Sequence, residues 1–429
     1  MQKANEYEVK ITKKIQYDIS KKKYLTTLDP ENAALAKSEN NEALAPIFWK
    51  QWLSYQPEPL GGDCIHGTYG PASWIMRIPQ HWNGKLVSCA TPSTRNAFSL
   101  DLIWSDYLLA RGYAFLCSDK GTPGFNVDSD IFSKIKNALI QPGAMNLWHQ
   151  TYREITRWAK GYLTTQKINE KNSVVTYAVG VSNGGYVVRY ALENDSKENP
   201  LFDGGLDWEG VCWSRKKLDL VSTMQIAISE SANLFSNSTL SKQQAKAKLI
   251  DSGMPRNAPD SLLKYYEQWY WFTVLNIYRD YLHPEAEPRL EWKDYVQLQQ
   301  DGTRDTQNDI LFTKYQWNPM VPPIAPRYDE IENTGEINVP LISLVGSLDC
   351  LIYPEIHGVG YKELVQSQGC SENHRLYWVE NGTHIDSLVN SVFDQEQRLK
   401  PILPHAYQCF EYLESWVETS TRPSLTHYF

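Results

Sequence analysis

The sequence lacks several features that would assign it to a specialised class of protein. Its seven cysteines are scattered and include no Cys-x-x-Cys pair, so neither a zinc ribbon nor a thioredoxin-like site is expected. Their odd number also argues against a complete disulfide framework. No window approaches the roughly 18 uninterrupted apolar residues of a membrane-spanning helix. The Gly-x-x-x-x-Gly-Lys motif of a phosphate-binding loop is absent too.

Charge and cofactor signals are equally sparse. A net charge of −8 over 429 residues does not favour nucleic acid or an anionic membrane, and suits a protein that acts on neutral or weakly charged small molecules. No His/Cys cluster indicates a metal, and no motif indicates an organic cofactor. The first residues are polar and lysine-rich, without the apolar stretch of a signal peptide, so a cytoplasmic location is the default expectation. A mature secreted or periplasmic form stays open, and nothing indicates an oligomeric state.

What the sequence does contain is an alternation of strand-like and helix-like segments. Residues 1–45 are charged and weakly patterned, and predict a polar, loosely packed N-terminal arm. Apolar strands alternate with amphipathic helices over 46–214 and again over 332–429, which predicts an α/β fold with a mostly parallel sheet covered by helices on both faces. Between them, residues 215–331 are helical in pattern and rich in aromatics, and predict a lid or cap inserted on that sheet.

One short stretch carries a chemical signal. "VVTYAVGVSNGGYVVRYALEN" predicts a buried strand, a tight turn and a helix, with Ser182 at the turn. Gly180 and Gly184 lie two residues to either side, which gives the Gly-x-Ser-x-Gly pattern of a nucleophile elbow. Such a sharp turn leaves no space for a Cβ at the flanking positions, and it lifts the hydroxyl above the sheet edge at the positive end of a helix. We therefore expect Ser182 to be a nucleophile.

A serine needs a base, and the base needs an acid to orient it. His384 follows the last predicted strand in a glycine-containing loop, and is the best candidate for the base. Asp349 follows the preceding predicted strand and is the best candidate for the acid, with Glu380 and Asp386 as competitors. Because the carboxyl ends of parallel strands meet at one edge of a sheet, we expect Ser182, Asp349 and His384 to lie close together.

With this order of residues the chain resembles the α/β-hydrolase superfamily. The strings "SNGGYVVRYALE" and "DGGLDWEG" are similar to the tannase, feruloyl-esterase and hydroxybutyrate-oligomer hydrolase group. The resemblance implies an eight-stranded, mostly parallel sheet and a covalent acyl-enzyme. It also implies an oxyanion hole built from the backbone N–H of Asn183 and one from the loop after the strand ending at Ala90, at Thr91 or Ser93. That loop lacks the His-Gly motif common in the superfamily.

Three functions remain in competition at this point. The first is hydrolysis of a small-molecule carboxylic ester, with no metal and no cofactor. The second is a serine peptidase or amidase, because the same three residues can cleave either bond. The third is a non-catalytic binding protein that kept the fold. The aromatic string "YYEQWYWF" either lines a substrate pocket or packs the lid onto the sheet.

Overall fold

The structure is a computed structural model of the whole chain, and it describes residues 7–38, 56–92, 95–121, 144–167, 174–287, 314–384 and 386–429. Its centre is a single sheet of ten strands in the order β1-β2-β3-β5-β4-β6-β7-β8-β9-β10. In chain order the strands are Val9–Tyr17, Gly62–Tyr69, Ala72–Pro79, Lys85–Ala90, Ala114–Ser118, Val175–Val181, Gly204–Trp208, Leu341–Gly346, His374–Val379 and Thr426–Tyr428.

The sheet has an antiparallel side and a parallel side. Strands β1, β2, β3 and β5 pair antiparallel. From β5 through β4 and β6 to β10 every pairing is parallel. The central strands β5, β7 and β8 are buried at every position, as expected for parallel strands that are covered on both faces. The predicted α/β class with a mostly parallel sheet is therefore confirmed.

Two edge strands account for the difference between the eight strands expected and the ten observed. Strand β1 lies at one edge and β10 at the other. The predicted loosely packed arm is wrong for residues 9–17, which pair with β2 along the whole of β1. Val9, Ile15 and Tyr17 are at least partly buried, whereas the lysines of β1 are exposed. Charged side chains of this kind protect an open edge from pairing with another chain.

Helices cover both faces of the sheet. The described α-helices, numbered α1 to α11, are Pro30–Ser38, Asp106–Ala110, Ala144–Lys167, Asn183–Glu193, Leu220–Leu234, Thr239–Asp251, Asp260–Tyr266, Phe272–Leu282, Ala325–Asp329, Gly360–Ser367 and Leu403–Thr419. A π-helical turn, Glu267–Trp271, joins α7 to α8, so that residues 260–282 form one continuous helix, called here the α7–α8 helix. Helices α5 to α9 all lie between β7 and β8 in the chain.

One buried ion pair fixes the helix that follows the predicted nucleophile. Arg189 on α4 and Asp207 on β7 are both fully buried, and the guanidinium contacts both carboxylate oxygens, at 2.8 Å and 3.1 Å. Arg189 also donates to the carbonyl of His357 at 2.8 Å. A bidentate pair of this kind fixes orientation as well as distance. Helix α4 is thereby held in register against β7, at the edge of the sheet where the candidate residues lie.

Candidate active site

Ser182 occupies the turn between β6 and α4 in a strained conformation. Its backbone has φ 57° and ψ −119°, a region that costs a non-glycine residue about 1–3 kcal/mol. A Cβ on Gly180 would overlap the carbonyl of Gly184, and a Cβ on Gly184 would overlap the carbonyl of Ala90. Both glycines of the predicted elbow are therefore required by close backbone packing, and this packing maintains the strained turn.

The structure brings the three predicted side chains into one hydrogen-bonded row. Ser182 Oγ lies 3.1 Å from His384 Nε2, and His384 Nδ1 lies 2.8 Å from Asp349 Oδ2. Each residue follows the end of a different strand, β6, β9 and β8. Asp349 is fully buried, while the side chain of His384 is 9% exposed. The imidazole can thus accept the Ser182 proton on one nitrogen while a carboxylate holds the other nitrogen protonated.

Asp349 is oriented by the start of the loop in which it lies. Its Oδ1 accepts the backbone N–H groups of Leu351 and Ile352, both at 2.8 Å. These two bonds occupy one carboxylate oxygen and leave Oδ2 directed at His384. The acid therefore cannot rotate away without losing two buried hydrogen bonds, each worth about 1 kcal/mol.

The two competing acids have other places in the structure. Glu380 is exposed at the end of β9. Asp386 is buried, and its carboxylate accepts the N–H groups of Ile402 and Leu403 at 2.7 Å and 2.9 Å, at the start of α11. That is the role of a helix cap, since the first N–H groups of a helix have no partner within it. Neither acid is in hydrogen-bond contact with His384.

The predicted oxyanion donors lie beside the elbow where the structure describes them. Asn183 is the first residue of α4, so its N–H has no acceptor within the helix. The N–H of Ser182 donates to the carbonyl of Trp208 at 2.8 Å. Thr91 is fully buried against Gly184, and its Oγ1 lies 2.5 Å from the ammonium of Lys120. Ser93 falls outside the described residues. The oxyanion roles of Asn183, Thr91 and Ser93 stay predictions.

Glu209 is a site residue that the sequence reasoning missed. It follows β7 directly, is 1% exposed and has a left-handed φ of 53°. Its Oε2 lies 3.2 Å from His384 Nδ1, the same nitrogen that faces Asp349. The signal was present in "DGGLDWEG", because an acid directly after a parallel strand points to the same sheet edge as Ser182 and Asp349.

The two carboxylates alter the proton affinity of the imidazole. Burial alone would lower the pKa of His384, but the charges of Asp349 and Glu209 outweigh burial and raise that pKa to about 10. Burial and repulsion from Asp349 raise the pKa of Glu209 to about 7, although His384 opposes this change. The site therefore stabilises the imidazolium, the form that His384 would take if it accepted a proton from Ser182.

The α7–α8 helix contacts the neighbour of each residue in the row. The hydroxyl of Tyr278 donates to Asn183 Oδ1 at 2.6 Å, next to Ser182. Trp271 Nε1–H donates to the carbonyl of Cys350 at 2.7 Å, next to Asp349. The Tyr266 hydroxyl shares a 2.8 Å hydrogen bond with Thr383 Oγ1, next to His384. One helix is thus bonded to all three loops that carry the row.

These contacts answer part of the question raised by the aromatic string. Tyr265, Tyr266, Trp271 and Phe272 are buried in the main hydrophobic core, so the string packs the helix onto the sheet. Two of these side chains, Tyr266 and Trp271, also use a polar atom to bond a loop that carries His384 or Asp349. The side chain of Trp269 lies outside the described part of the structure.

One group of side chains has donor atoms close enough to ligate a cation. Donor atoms of Glu209, Asp349 and His384 lie within 4.8 Å of one another. Nδ1 of His384 would have to lose its proton to bind a metal, whereas the hydrogen bond to Asp349 requires that proton. The donors therefore suit a shared proton, and the metal-free site stays a prediction.

Comparison with known proteins places this geometry in a known fold. No protein-family model matches the sequence, and no curated protein matches it either. The structure is similar to that of an esterase from Aspergillus oryzae, with a TM-score of 0.51 and 12% identity, over 97% of this chain and 88% of the other.

Two further solved structures are similar at lower scores. Tannin acyl hydrolase from Aspergillus niger has a TM-score of 0.47 and 11% identity, over 97% of this chain and 83% of that one. Feruloyl esterase B from Aspergillus oryzae has a TM-score of 0.46 and 14% identity, over 85% of this chain and 82% of that one. With its strand order and its elbow between β6 and α4, the chain has the α/β-hydrolase fold.

Proposed function

We propose that the protein is a serine hydrolase that cleaves carboxylic esters through a covalent acyl-enzyme. The observation that carries the proposal is the row from Ser182 Oγ to His384 to Asp349, with contacts of 3.1 Å and 2.8 Å. A nucleophile within reach of a base, and a base held by a buried acid, is the arrangement that activates a serine hydroxyl.

The reaction follows from that geometry. Ser182 Oγ attacks the ester carbonyl carbon while its proton passes to His384 Nε2. The carbonyl oxygen becomes an oxyanion, which the N–H of Asn183 and a donor of the Thr91 loop stabilise. When the tetrahedral intermediate collapses, the bond from carbon to the leaving oxygen breaks, and His384 gives its proton to the departing alcohol. A water molecule, deprotonated by the same nitrogen, then attacks the acyl carbon. The bond from that carbon to Ser182 Oγ breaks, His384 returns the proton to Oγ, and the acid is released.

Two observations favour an ester over an amide as the substrate. The structure that matches with a TM-score of 0.51 is called an esterase, and small neutral esters agree with the net charge of −8. We also propose that residues 215–331 cap the site, since the α7–α8 helix within them contacts its three loops. A serine peptidase or amidase would use the same row.

The test combines covalent labelling with turnover. The purified protein is treated with a fluorophosphonate probe, the adduct is located by peptide mass spectrometry, and a panel of acyl esters and aminoacyl amides is assayed beside it. We expect labelling at Ser182 and ester turnover, both lost in Ser182→Ala. Ser88→Ala is the matched control, because Ser88 is buried in β4 and bonded to Thr156.

Two results would overturn the proposal in different ways. Labelling at Ser182 with turnover of amides but not esters would reassign the protein to the peptidases. A folded protein with neither labelling nor turnover would indicate a binding protein that kept the fold.

A further inference from the structure

We propose that Glu209 is a second positioning acid for His384, so that two carboxylates share the proton on Nδ1. The inference rests on the proposed function, because it concerns the same imidazole. It goes beyond the expected row of three residues by adding a fourth, which comes from the strand between those that carry Ser182 and Asp349.

The backbone at Glu209 is built to present this side chain. Its N–H donates to the carbonyl of Leu344 on β8 at 2.8 Å, immediately after β7 ends. Its left-handed φ of 53° is a conformation that a residue with a Cβ keeps only where the surroundings enforce it. Such strain is found preferentially at functional sites, and it turns the Glu209 side chain towards the loops after β8 and β9.

The two carboxylate oxygens have separate partners. Oε1 accepts the N–H of Gly346 at 3.1 Å, which ties the end of β8 to Glu209. Oε2 has no conventional hydrogen bond among the described residues, and its close polar contact is His384 Nδ1 at 3.2 Å. A purely structural glutamate would need only the first bond. A fully buried carboxyl oxygen that faces an imidazole without a conventional hydrogen bond requires a further explanation.

Sharing of one proton between two acids supplies that explanation. Asp349 Oδ2 at 2.8 Å is the nearer acceptor, and Glu209 Oε2 at 3.2 Å is the second. When Ser182 transfers its proton, both carboxylates stabilise the imidazolium. If Asp349 is removed, Glu209 still holds the ring with Nδ1 protonated and Nε2 facing Ser182. We therefore expect the two acids to substitute for each other in part.

The charged neighbours of this cluster are few among the described residues. Asp349 and Glu209 face Nδ1 from the ends of β8 and β7. Asp386 on the His384 loop interacts electrostatically from farther away with both Glu209 and His384. Tyr266 on the α7–α8 helix interacts in the same way with Glu209, and the buried His357 with His384. Of these groups, only Asp349 and Glu209 contact the imidazole directly. Removal of the negative charge at Glu209 is therefore expected to lower the pKa of His384.

The first experiment needs no substrate. The C2–H resonance of His384 is titrated by NMR in the wild type and in Glu209→Gln, and is assigned by its loss in His384→Asn. Since a negative charge within about 4–6 Å raises the pKa of a histidine by about 1–3 units, we expect the His384 midpoint to fall by that amount in Glu209→Gln. Glutamine keeps an oxygen to accept the Gly346 N–H.

A matched control separates charge from packing. Glu193 also uses its carboxylate to accept backbone N–H groups, those of Thr334 and Gly335 at 2.9 Å and 3.0 Å, away from His384. Glu193→Gln is expected to leave the His384 titration unchanged. If Glu209→Gln behaves like Glu193→Gln in this titration, Glu209 is a structural residue and the proposal is overturned, whatever the protein hydrolyses.

Turnover then tests the mutual substitution of the acids. Loss of the single acid of a serine triad lowers kcat by about 10⁴-fold. Here we expect kcat to fall by about 10²-fold in Asp349→Asn and by about tenfold in Glu209→Gln. The full loss of about 10⁴-fold is expected only in the double variant. If Asp349→Asn alone causes the full loss of kcat and Glu209→Gln has no effect, Asp349 alone orients His384 and the proposal is overturned. If the wild type has no turnover but Glu209→Gln still lowers the His384 titration midpoint, the proposed function is wrong, while the interaction between Glu209 and His384 is supported.

Discussion

The sheet loops and the helix that covers them contribute different chemistry to one site. The loops supply the groups that can carry charge in the reaction, namely Ser182, Glu209, Asp349 and His384. The α7–α8 helix supplies neutral hydrogen-bonding groups that bond the residue adjacent to each of Ser182, Asp349 and His384. These groups belong to Tyr266, Trp271 and Tyr278. Burial raises the pKa of both tyrosines, so their hydroxyls keep their protons. In the proposed reaction the loops therefore supply the reacting groups, and the helix holds those loops in place.

The largest effect should come from the loops. We expect Ser182→Ala to lower kcat for an ester by about 10⁵- to 10⁶-fold, because no other group replaces the attacking oxygen. The measurement is initial-rate kinetics beside circular dichroism of the variant. Alanine at this left-handed position relieves little strain, so the fold is expected to persist. Activity within tenfold of the wild type would mean that the nucleophile lies elsewhere.

A second prediction concerns pH and again belongs to the loops. His384 must be neutral to accept the Ser182 proton, and its carboxylate neighbours raise its pKa above the ordinary value of 6.5. We therefore expect kcat/KM to rise with pH by about tenfold per unit below that raised pKa, and to level off above it. The rate is measured with an ester whose leaving group does not titrate, and spontaneous hydrolysis is subtracted. A midpoint at or below 6.5 would contradict the prediction.

Substitutions in the α7–α8 helix should have a smaller effect on ester turnover. They should change kcat more than KM. Tyr278→Phe removes the hydroxyl that holds Asn183, whose N–H is the predicted oxyanion donor. A net hydrogen bond of about 1 kcal/mol corresponds to a loss in kcat of roughly fivefold to tenfold. Tyr281→Phe, on the same helix, is the control, because its hydroxyl accepts the Met145 N–H instead, at 3.4 Å. Equal effects of the two variants would indicate general loosening of the helix.

A smaller effect is expected at the indole contact. Trp271→Phe keeps an aromatic ring but leaves the carbonyl of Cys350 without its donor. We expect the free energy of unfolding to fall by about 1–3 kcal/mol, with a change in kcat of no more than a few fold. Denaturant unfolding and ester kinetics on the same preparation separate the two quantities. A kcat loss as large as that of Ser182→Ala would mean that the helix takes part in the chemistry.

No effect at all is expected from removal of metal. If Glu209, Asp349 and His384 share a proton, prolonged treatment with EDTA leaves ester turnover unchanged, and added Zn²⁺ inhibits by competing for Nδ1. Loss of activity on chelation and its recovery with a divalent ion would reassign this cluster as a metal centre.

The elbow and the α/β class with a mostly parallel sheet were predictable because their signals are local. Two glycines around Ser182 are required by backbone overlap. Asp349 follows the largely apolar strand β8, and His384 lies in a glycine-containing loop after β9. The same rule applied to β7 would have found Glu209. The function of the loop after Ala90 could not be read from the sequence, since any residue can offer a backbone N–H.

The two edge strands, β1 and β10, were not predicted for a different reason. Strand β1 was not predicted because its exposed lysines give it the composition of a loop. Few of its residues, Val9, Ile15 and Tyr17, are at least partly buried. Edge strands bury little apolar area, so their composition is close to that of a loop. The contacts of the α7–α8 helix were not predictable either, because a hydroxyl or an indole nitrogen leaves no periodic pattern in a sequence.

The attachment of one helix to three loops has a consequence for how such a protein can be modified. A cap that only shaped the pocket could be exchanged between related chains to alter selectivity while the reaction centre stayed intact. Here residues 260–282 would have to travel together with Asn183, Cys350 and Thr383. The exchangeable unit is therefore the helix together with its three bonded residues. A graft of the helix alone would lose the hydrogen bonds that hold the loops of Ser182, Asp349 and His384.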